Sequence, residues 1–486
     1  MSLFEIFITL AYLAALLTWE FVHTNNLDPD FWSNKAAHLA AIQVPLLPAL
    51  SSKNNVIGWL TGVSHEKLNV LHRSVARCIL VLIWIHLWGR HRIGFTGADD
   101  LSVFHWERLG LAAGTIYTLT IILTLRPIRL LSHEVFYFTH IILVFAFVLL
   151  AYFHTLTPGF SYYIWPTWVV WGFERLFRLA RYLTLNVFPR PSHSKARLSL
   201  ISSDSLRLTL IRRIPLGWMP GQHVFLAFPT VSNVPLESHP FTIANIPKEG
   251  RGEQELVFII RGREGLTKRL VERAAEKDGV KIPVFLDGPY GNPTNLRPYT
   301  TCVFIAGGSG VSYTLPLLLD LVKRVRDGTA LAKRILFVWA IRDEEYLEWV
   351  AGLLADVIST VPPSLSIDID LYVTGTSTQA KAASDLPLQE QATTTHTTRE
   401  PSGSGEKTPE SAEVGGLPSP RKGRPNVAQL VHGEINTAKG PTSVDVSGPP
   451  SLIKAVRDSL TSPISATRSV MNGGPTVHFH AENFTL

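Results

Sequence analysis

Only two cysteines occur in the 486 residues, Cys78 and Cys302, and both stand inside apolar runs. That argues against a disulfide framework, and each thiol reads as a small buried apolar group. Charged residues are sparse at 17%, and the net charge is +6. A basic balance can signal nucleic acid, but no zinc-finger spacing and no RNP-like strand is present, so no nucleic-acid partner is expected. The basic residues gather instead beside apolar segments, as at Arg175, Arg178 and Arg181, where cytosolic flanks of membrane helices are positive. The first apolar run, residues 3–20, lacks a basic leader and a small-residue cleavage site. It reads as a membrane helix rather than a signal peptide. The G-x-G-x-x-G fingerprint is also missing, so a standard dinucleotide-binding dehydrogenase is not expected.

What is present is strongly asymmetric. Nearly all long apolar runs precede residue 185, with candidate helices at 3–20, 35–52, 70–89, 104–125, 134–155 and 161–179. Each could cross a hydrocarbon layer roughly 30 Å thick. The second is the weakest, because Pro45 and Pro48 interrupt it. Six crossings return the chain to its starting side, and the arginine-rich exit marks that side as cytosolic. The lipid bilayer is therefore an expected partner. Residues 195–291 alternate short strands with Gly and Pro turns, the pattern of a small antiparallel barrel. From Thr301 the pattern becomes strand, glycine turn, helix, strand, which predicts a parallel sheet in an α/β domain. Residues 376–424 are rich in Ser, Thr, Pro, Gly and Glu and read as a disordered insertion. Order resumes near Asn426. The expected domains are thus 1–182, 190–298 and 299–486.

Four membrane histidines carry the sharpest signal. His72 and His86 are fourteen residues apart, as are His140 and His154. Fourteen helical steps return to within about 40° of the same face and rise about 21 Å. Two such helices running parallel can pair His72 with His140 near the cytosolic side and His86 with His154 near the far side. Paired imidazoles are axial haem ligands, and ionisable groups at membrane depth usually mark function. The separation fits a single structural zinc or copper site poorly. His65, His91, His105 and His133 lie at expected helix ends or loops. Arg73 and Arg77 either meet haem propionates or snorkel to headgroups.

The second half holds two further constellations. HPFT (His239, Pro240, Phe241, Thr242) is followed by REGLTKRL and DGPYG, in the order a flavin-binding barrel needs. Thr242 could hydrogen-bond an isoalloxazine, and Gly265 and Thr267 could approach a pyrophosphate. AGGSGVSYTLPLL supplies Gly307, Gly308 and Gly310, a glycine turn at a helix N-terminus suited to phosphate. Arg342, ending the next strand, is placed for a ribose 2′-phosphate and favours NADPH over NADH.

Together these residues resemble the fungal ferric reductase family, related to the NADPH oxidases. The resemblance rests on NNVIGWLTGVSHEKLNVLHRSVAR, HPFT, DGPYG, GGSGVS, FVWAIRD, GRPN at Gly423–Asn426 and SGPP at Ser447–Pro450, and it covers almost the whole chain. It implies a six-helix haem-binding transmembrane bundle followed by a ferredoxin-reductase-like module. That module comprises an antiparallel FAD-binding β-barrel and an α/β NADP-binding domain. The implied activity takes electrons from cytosolic NADPH through FAD and two b haems to ferric or cupric chelates across the membrane, supporting metal uptake. The alternatives are a superoxide-generating oxidase and a catalytically weak scaffold. A metal permease or oxidase partner and a plasma-membrane location are implied, with an internal membrane left open.

By resemblance, His72, His86, His140 and His154 match the haem ligands. Gly423, Arg424, Pro425, Ser447, Gly448 and Pro449 join Gly307, Gly308, Gly310 and Arg342 as nucleotide-contacting positions, and Phe484 matches the terminal aromatic near the flavin. Equal fourteen-residue intervals look more like the metalloreductases than the oxidases. Three features depart from the family. Ser447 stands where a cysteine is usual beside the nicotinamide, Asn426 stands for Asp, and the further helix that members often carry before the core is not present in this sequence.

Overall fold

The computed structural model describes residues 3–22, 28–63, 65–94, 105–131, 133–187, 195–233, 237–250, 252–375, 418–461 and 475–482. The chain divides into two compact units, Met1–Leu183 and Thr184–Leu486.

The first unit is helical. Its elements are α1 (Leu3–Phe21), α2 (Pro29–Ala41), α3 (Leu46–Ser51), α4 (Val56–Thr61), α5 (His65–Ile93), α6 (His105–Leu123), α7 (Arg126–Leu131), α8 (His133–Leu156) and α9 (Trp165–Asn186). Local chemistry sets several ends. Asp28 caps α2, accepting from the Asp30 N–H, with Pro29 at the first helical position. Asn55 caps α4 by accepting from the Gly58 N–H, and Gly62 ends it in the left-handed region at φ +73°. The crossing expected at 35–52 is broken into α2 and α3. Pro45 lacks an N–H and sits where α3 begins, so one continuous helix cannot form through it.

Among the described residues, two helical stretches are long and apolar enough to cross a membrane, Lys67–Ile93 and Val135–Leu156. They are the stretches that carry all four paired histidines. Their core joins Ile79 and Leu82 of α5 to Ala36 and Ala40 of α2, Tyr117 of α6, and Phe147 and Ala151 of α8. Small residues permit the approach. A Cβ on Gly89 would lie 2.3 Å from Ser33 Cβ, so only glycine lets α2 seat against α5 there.

The second unit begins with seven strands: β1 (Lys195–Ser202), β2 (Ser205–Arg212), β3 (His223–Ala227), β4 (Ser238–Thr242), β5 (Gln254–Arg261), β6 (Val280–Pro283) and β7 (Phe285–Tyr290). They form two antiparallel sheets, ordered β5-β2-β1-β6 and β4-β3-β7, rather than one continuous ladder. Past the end of β4, the Ala244 N–H donates to the Val257 carbonyl of β5 at 2.8 Å, a local link between the two sheets. Inward residues from both sheets share one apolar core, including Leu198, Leu208, Val224, Leu226 and Leu286. Helix α10 (Gly265–Glu276) adds Leu266, Leu270 and Ala274.

A six-stranded sheet follows, with β8 (Thr301–Gly307), β9 (Arg334–Ile341), β10 (Ser366–Val373), β11 (Arg421–Lys422), β12 (Thr442–Ser447) and β13 (Val477–Glu482). Its order is β11-β10-β9-β8-β12-β13, and every pairing is parallel. The helices are α11 (Val311–Arg326), α12 (Ala351–Thr360), α13 (Val427–Thr437) and α14 (Pro450–Leu460). Strand β8 has β9 on one side and β12 on the other, so the order reverses there. Ligands of open parallel sheets bind outside the carboxyl ends at such a reversal.

The segment read as disordered to residue 424 departs from that reading at its end. Residues 376–417 lie outside the described residues, but Arg421–Lys422 pairs with Tyr372–Val373 as an edge strand. Arg421 anchors it through an ion pair with Asp370 at 3.2 Å. Composition alone does not show that two residues can extend a sheet.

Candidate functional site

In the first unit, α5 and α8 bring the rings of His86 and His154 together. Their ring centroids are 6.4 Å apart, with planes inclined at 57°. The Nδ1 of His86 bonds the Ser33 carbonyl at 2.9 Å, and that of His154 bonds the Trp106 carbonyl at 2.8 Å. A carbonyl only accepts, so each Nδ1 carries the proton and each Nε2 keeps its lone pair for a metal. Such outer bonds are how ligating histidines are oriented. Two metal–nitrogen bonds of about 2 Å, plus the ring radius on each side, sum to roughly the observed separation. The residues therefore fit a metal-centred group such as a haem, which would take one nitrogen from each imidazole.

His72 is held the same way, its Nδ1 3.0 Å from the Leu47 carbonyl. The His140 ring packs on Phe136 at 5.5 Å, and its Nδ1 finds no hydrogen-bond partner among the described residues. Arg73 reaches Glu5 at 3.3 Å, so at least part of its guanidinium is engaged within the protein. His65, His91, His105 and His133 fall in the first or last turns of their helices.

In the second unit, His239, Pro240, Phe241 and Thr242 lie on β4, paired with Leu226, Phe225, Val224 and His223 of β3. Thr242 Oγ1 is buried without a hydrogen-bond partner among the described residues, which is the orphaned donor that a flavin carbonyl or ring nitrogen would satisfy. His239 bonds Glu237 at 2.9 Å, and Arg269 lies 3.7 Å from the same carboxylate. Burial alone would raise the Glu237 carboxyl, but Ser232, His239 and Arg269 together hold it below its ordinary value. Gly265 opens α10 at φ +57°, where a side chain would be strained. The Thr267 hydroxyl is used locally, accepting from the Arg263 N–H and donating to the Glu264 carbonyl.

The carboxyl ends of β8 and β12 bring the glycine turn and SGPP together. A Cβ on Gly310 would lie 2.2 Å from the Ser447 carbonyl oxygen, and one on Gly307 would lie 2.7 Å from Pro449 Cδ. A Cβ on Gly448 would approach Gly307 to 3.0 Å. Gly308 has φ +56° and open space where its Cβ would be, a cradle free for phosphate. Ser447 Oγ is buried without a hydrogen-bond partner among the described residues. Arg342 is exposed just beyond β9, and its carbonyl accepts from the Gly375 N–H at 3.0 Å. The Gly423 N–H donates to the Val373 carbonyl at 2.8 Å, placing Arg424 and Pro425 beside the carboxyl end of β10. Phe484 lies outside the described residues.

Several supporting residues escaped the sequence reading. Trp339 of β9 is fully buried and donates its indole N–H to the Gly308 carbonyl at 2.9 Å, steadying the turn. Gly110 passes so close to His154 that a Cβ would lie 2.5 Å from its ring. Asn426, treated as a departure in a nucleotide motif, is the N-cap of α13 and accepts from the Gln429 N–H at 3.2 Å. Asn and Asp cap equally well, so the replacement leaves this role intact. Replacing Asn426 with Ala should cost about 1 kcal/mol and Asn426→Asp much less, as read by thermal unfolding of the solubilised protein.

Comparison with known proteins follows the same three-part order. Residues 36–151 match the ferric reductase like transmembrane component, 191–294 an FAD-binding domain, and 299–461 the ferric reductase NAD binding domain. A probable cell surface ferric reductase, kap2, of Aspergillus oryzae is 28% identical over 361 residues, covering 70% of this chain and 47% of that protein. A probable ferric reductase transmembrane component of Candida albicans is 25% identical over 460 residues, covering 90% of this chain and 63% of that protein. The chain thus spans 47% to 63% of the length of these relatives. A solved flavohemoglobin from Malassezia yamatoensis is 13% identical and covers 95% of this chain and 99% of its own. Its TM-score of 0.43 is too low to establish a shared fold.

Proposed function

As this chain belongs to the ferric reductase family, with transmembrane, FAD-binding and NAD-binding domains in that order, we propose that it is an NADPH-dependent metalloreductase. It moves electrons from the cytosolic side to ferric or cupric chelates on the opposite side of the membrane. The observation that carries this reading is the His86/His154 pair, with both Nδ1 atoms tied to backbone carbonyls and both Nε2 atoms left for iron.

A flavin converts a two-electron donor into single electrons, and a pair of haems carries single electrons across the span. The chain's own residues hold and orient. His72 and His140 form the inner ligand pair, and His86 and His154 form the outer one. Thr242 offers its hydroxyl to the flavin ring, with His239, Pro240 and Phe241 shaping that pocket. Gly307, Gly308 and Gly310 bring backbone N–H groups to the nucleotide pyrophosphate. Ser447, Gly448 and Pro449 close the nicotinamide side, and Arg342 and Arg424 meet the 2′-phosphate. A haem held by these residues would pass single electrons from its edge, so the metal chelate would need no enclosed pocket.

The test is an anaerobic reduced-minus-oxidised absorbance spectrum of the solubilised protein, with NADPH as sole reductant and a ferric chelate added second. Two bis-histidine haems should reduce and then reoxidise. Protein that binds no haem would overturn the reading. Rapid reoxidation by oxygen but not by chelate would convert it to an oxidase.

A further inference from the structure

Arg90 stands four residues after His86 on the same stripe of α5, about 6 Å further along the helix. It belongs to a basic last turn with His91 and Arg92. Those two are exposed, whereas the Arg90 side chain is only 18% exposed. A guanidinium turned inward needs partners. It finds one on each of two neighbouring helices. Arg90 Nη1 donates to Asp30 Oδ1 of α2 at 3.1 Å. Arg90 Nη2 lies 3.7 Å from Glu107 Oε1 of α6. Both carboxylates stand in the first turns of their helices, so the cation ending α5 meets acids at the start of α2 and of α6.

The same two first turns hold the outer imidazoles. Ser33, whose carbonyl meets His86 Nδ1, lies one turn after Asp30, and its hydroxyl donates to the Asp30 carbonyl at 3.4 Å. Trp106, whose carbonyl meets His154 Nδ1, immediately precedes Glu107. The Trp106 ring also stacks on His154 at 5.5 Å and 25°. One side chain of α5 therefore ties together the two backbone segments that orient His86 and His154. There is no slack on the α2 side, because Gly89, next to Arg90, has no room for a Cβ against Ser33. Glu107 is the more demanding partner. It is 7% exposed, and a carboxylate at that depth depends on its counter-charge. Asp30 is exposed and accepts a second bond, from Asn34 Nδ2 at 3.1 Å.

We propose that Arg90 is the positioning residue of the outer histidine pair. By bridging Asp30 and Glu107 it fixes the first turns of α2 and α6 and, through them, the Ser33 and Trp106 carbonyls. Those carbonyls hold the two Nδ1 protons, and so set the ring planes and the aim of each Nε2. The inference rests on the reading of His86 and His154 as haem ligands. Arginine suits the task because its planar fork turns a different nitrogen to each carboxylate, whereas lysine offers one.

The experiment uses the full chain, solubilised and loaded with haem, as wild type, Arg90→Gln and Arg90→Lys. The electron paramagnetic resonance of a low-spin haem reports the relative orientation of its two axial imidazole planes. Arg90→Gln should shift the signal of one haem and leave that of the other, held by His72 and His140, in place. The shifted haem should pass to excess apomyoglobin about tenfold faster, the lower end of the range for a lost outer partner. Arg90→Lys should recover part of both effects. Asp30→Ala, at an exposed position, should shift the same signal by less, and it carries the test where Arg90→Gln does not fold. Two unmoved signals with wild-type haem retention in a folded variant overturn the proposal. If the wild type binds no haem, the ligand reading fails, and ¹⁵N-imidazole magnetic resonance of the haem-free chain decides the rest. Loss of the Nδ1 bonds of His86 and His154 in Arg90→Gln then supports the positioning role, and their persistence overturns it.

Discussion

Replacing His86 or His154 with alanine should lower bound haem from two per chain to one and abolish NADPH-driven chelate reduction. In the proposed site each side chain would supply one ligand nitrogen, and its ring is fixed by a bond to a backbone carbonyl that the alanine variant cannot form. Loss of only an outer partner typically costs 10–100-fold in metal affinity, so loss of the ligand itself should exceed that. Gly110 provides a subtler variant. It lies on α6, where a new Cβ would meet three atoms of the His154 ring at 2.5, 2.6 and 2.9 Å. Gly110→Ala must push the imidazole aside while leaving every ligand atom in the sequence. Haem content by pyridine haemochrome and chelate reduction should both fall, less completely than in His154→Ala. Two haems retained in His86→Ala would remove the outer pair from the proposal.

That pair was legible in sequence because the helix has a fixed period. Fourteen residues is close to four turns, so each helix carries its two histidines on one face, and they become facing partners only where those faces meet. What the period could not reveal is the second layer. The carbonyls of Ser33 and Trp106 come from α2 and α6, and backbone acceptors leave no mark on residue identity. Gly89 and Gly110 were equally silent, since a glycine inside a helix signals close packing only once its neighbour is known. The parallel sheet was readable from strand–turn–helix alternation. The two-sheet form of the preceding domain was not, because it depends on how β4 and β5 meet rather than on the strands themselves. Asn426, read only as a departure from the family's nucleotide motif, serves to start a helix. The edge strand at Arg421 was hidden inside a low-complexity stretch, where two ordered residues do not alter the composition.

The nucleotide turn allows the sharpest separation of structure from binding. Gly310→Ala should destabilise the protein by roughly 1–3 kcal/mol, the usual range for forced overpacking. The cause is steric alone. Gly310 has φ −59°, which alanine adopts without strain. Its added Cβ, however, would sit 2.2 Å from the Ser447 carbonyl oxygen and 2.6 Å from the carbonyl carbon. Ser447 cannot retreat, because β12 is paired on one side with β8 and on the other with β13. The turn must therefore move away from SGPP, pulling against the Trp339 bond to Gly308. Gly308→Ala tests the other case. Its Cβ meets nothing within 4 Å, but φ +56° charges a left-handed penalty of about 1–2 kcal/mol, and the new methyl enters the space assigned to pyrophosphate. Thermal unfolding and the NADPH KM should then diverge. Gly310→Ala should show the larger fall in Tm. Gly308→Ala should raise KM more than its loss of stability explains. A Gly310→Ala protein with wild-type Tm and KM would mean that the glycine turn and SGPP do not form one site.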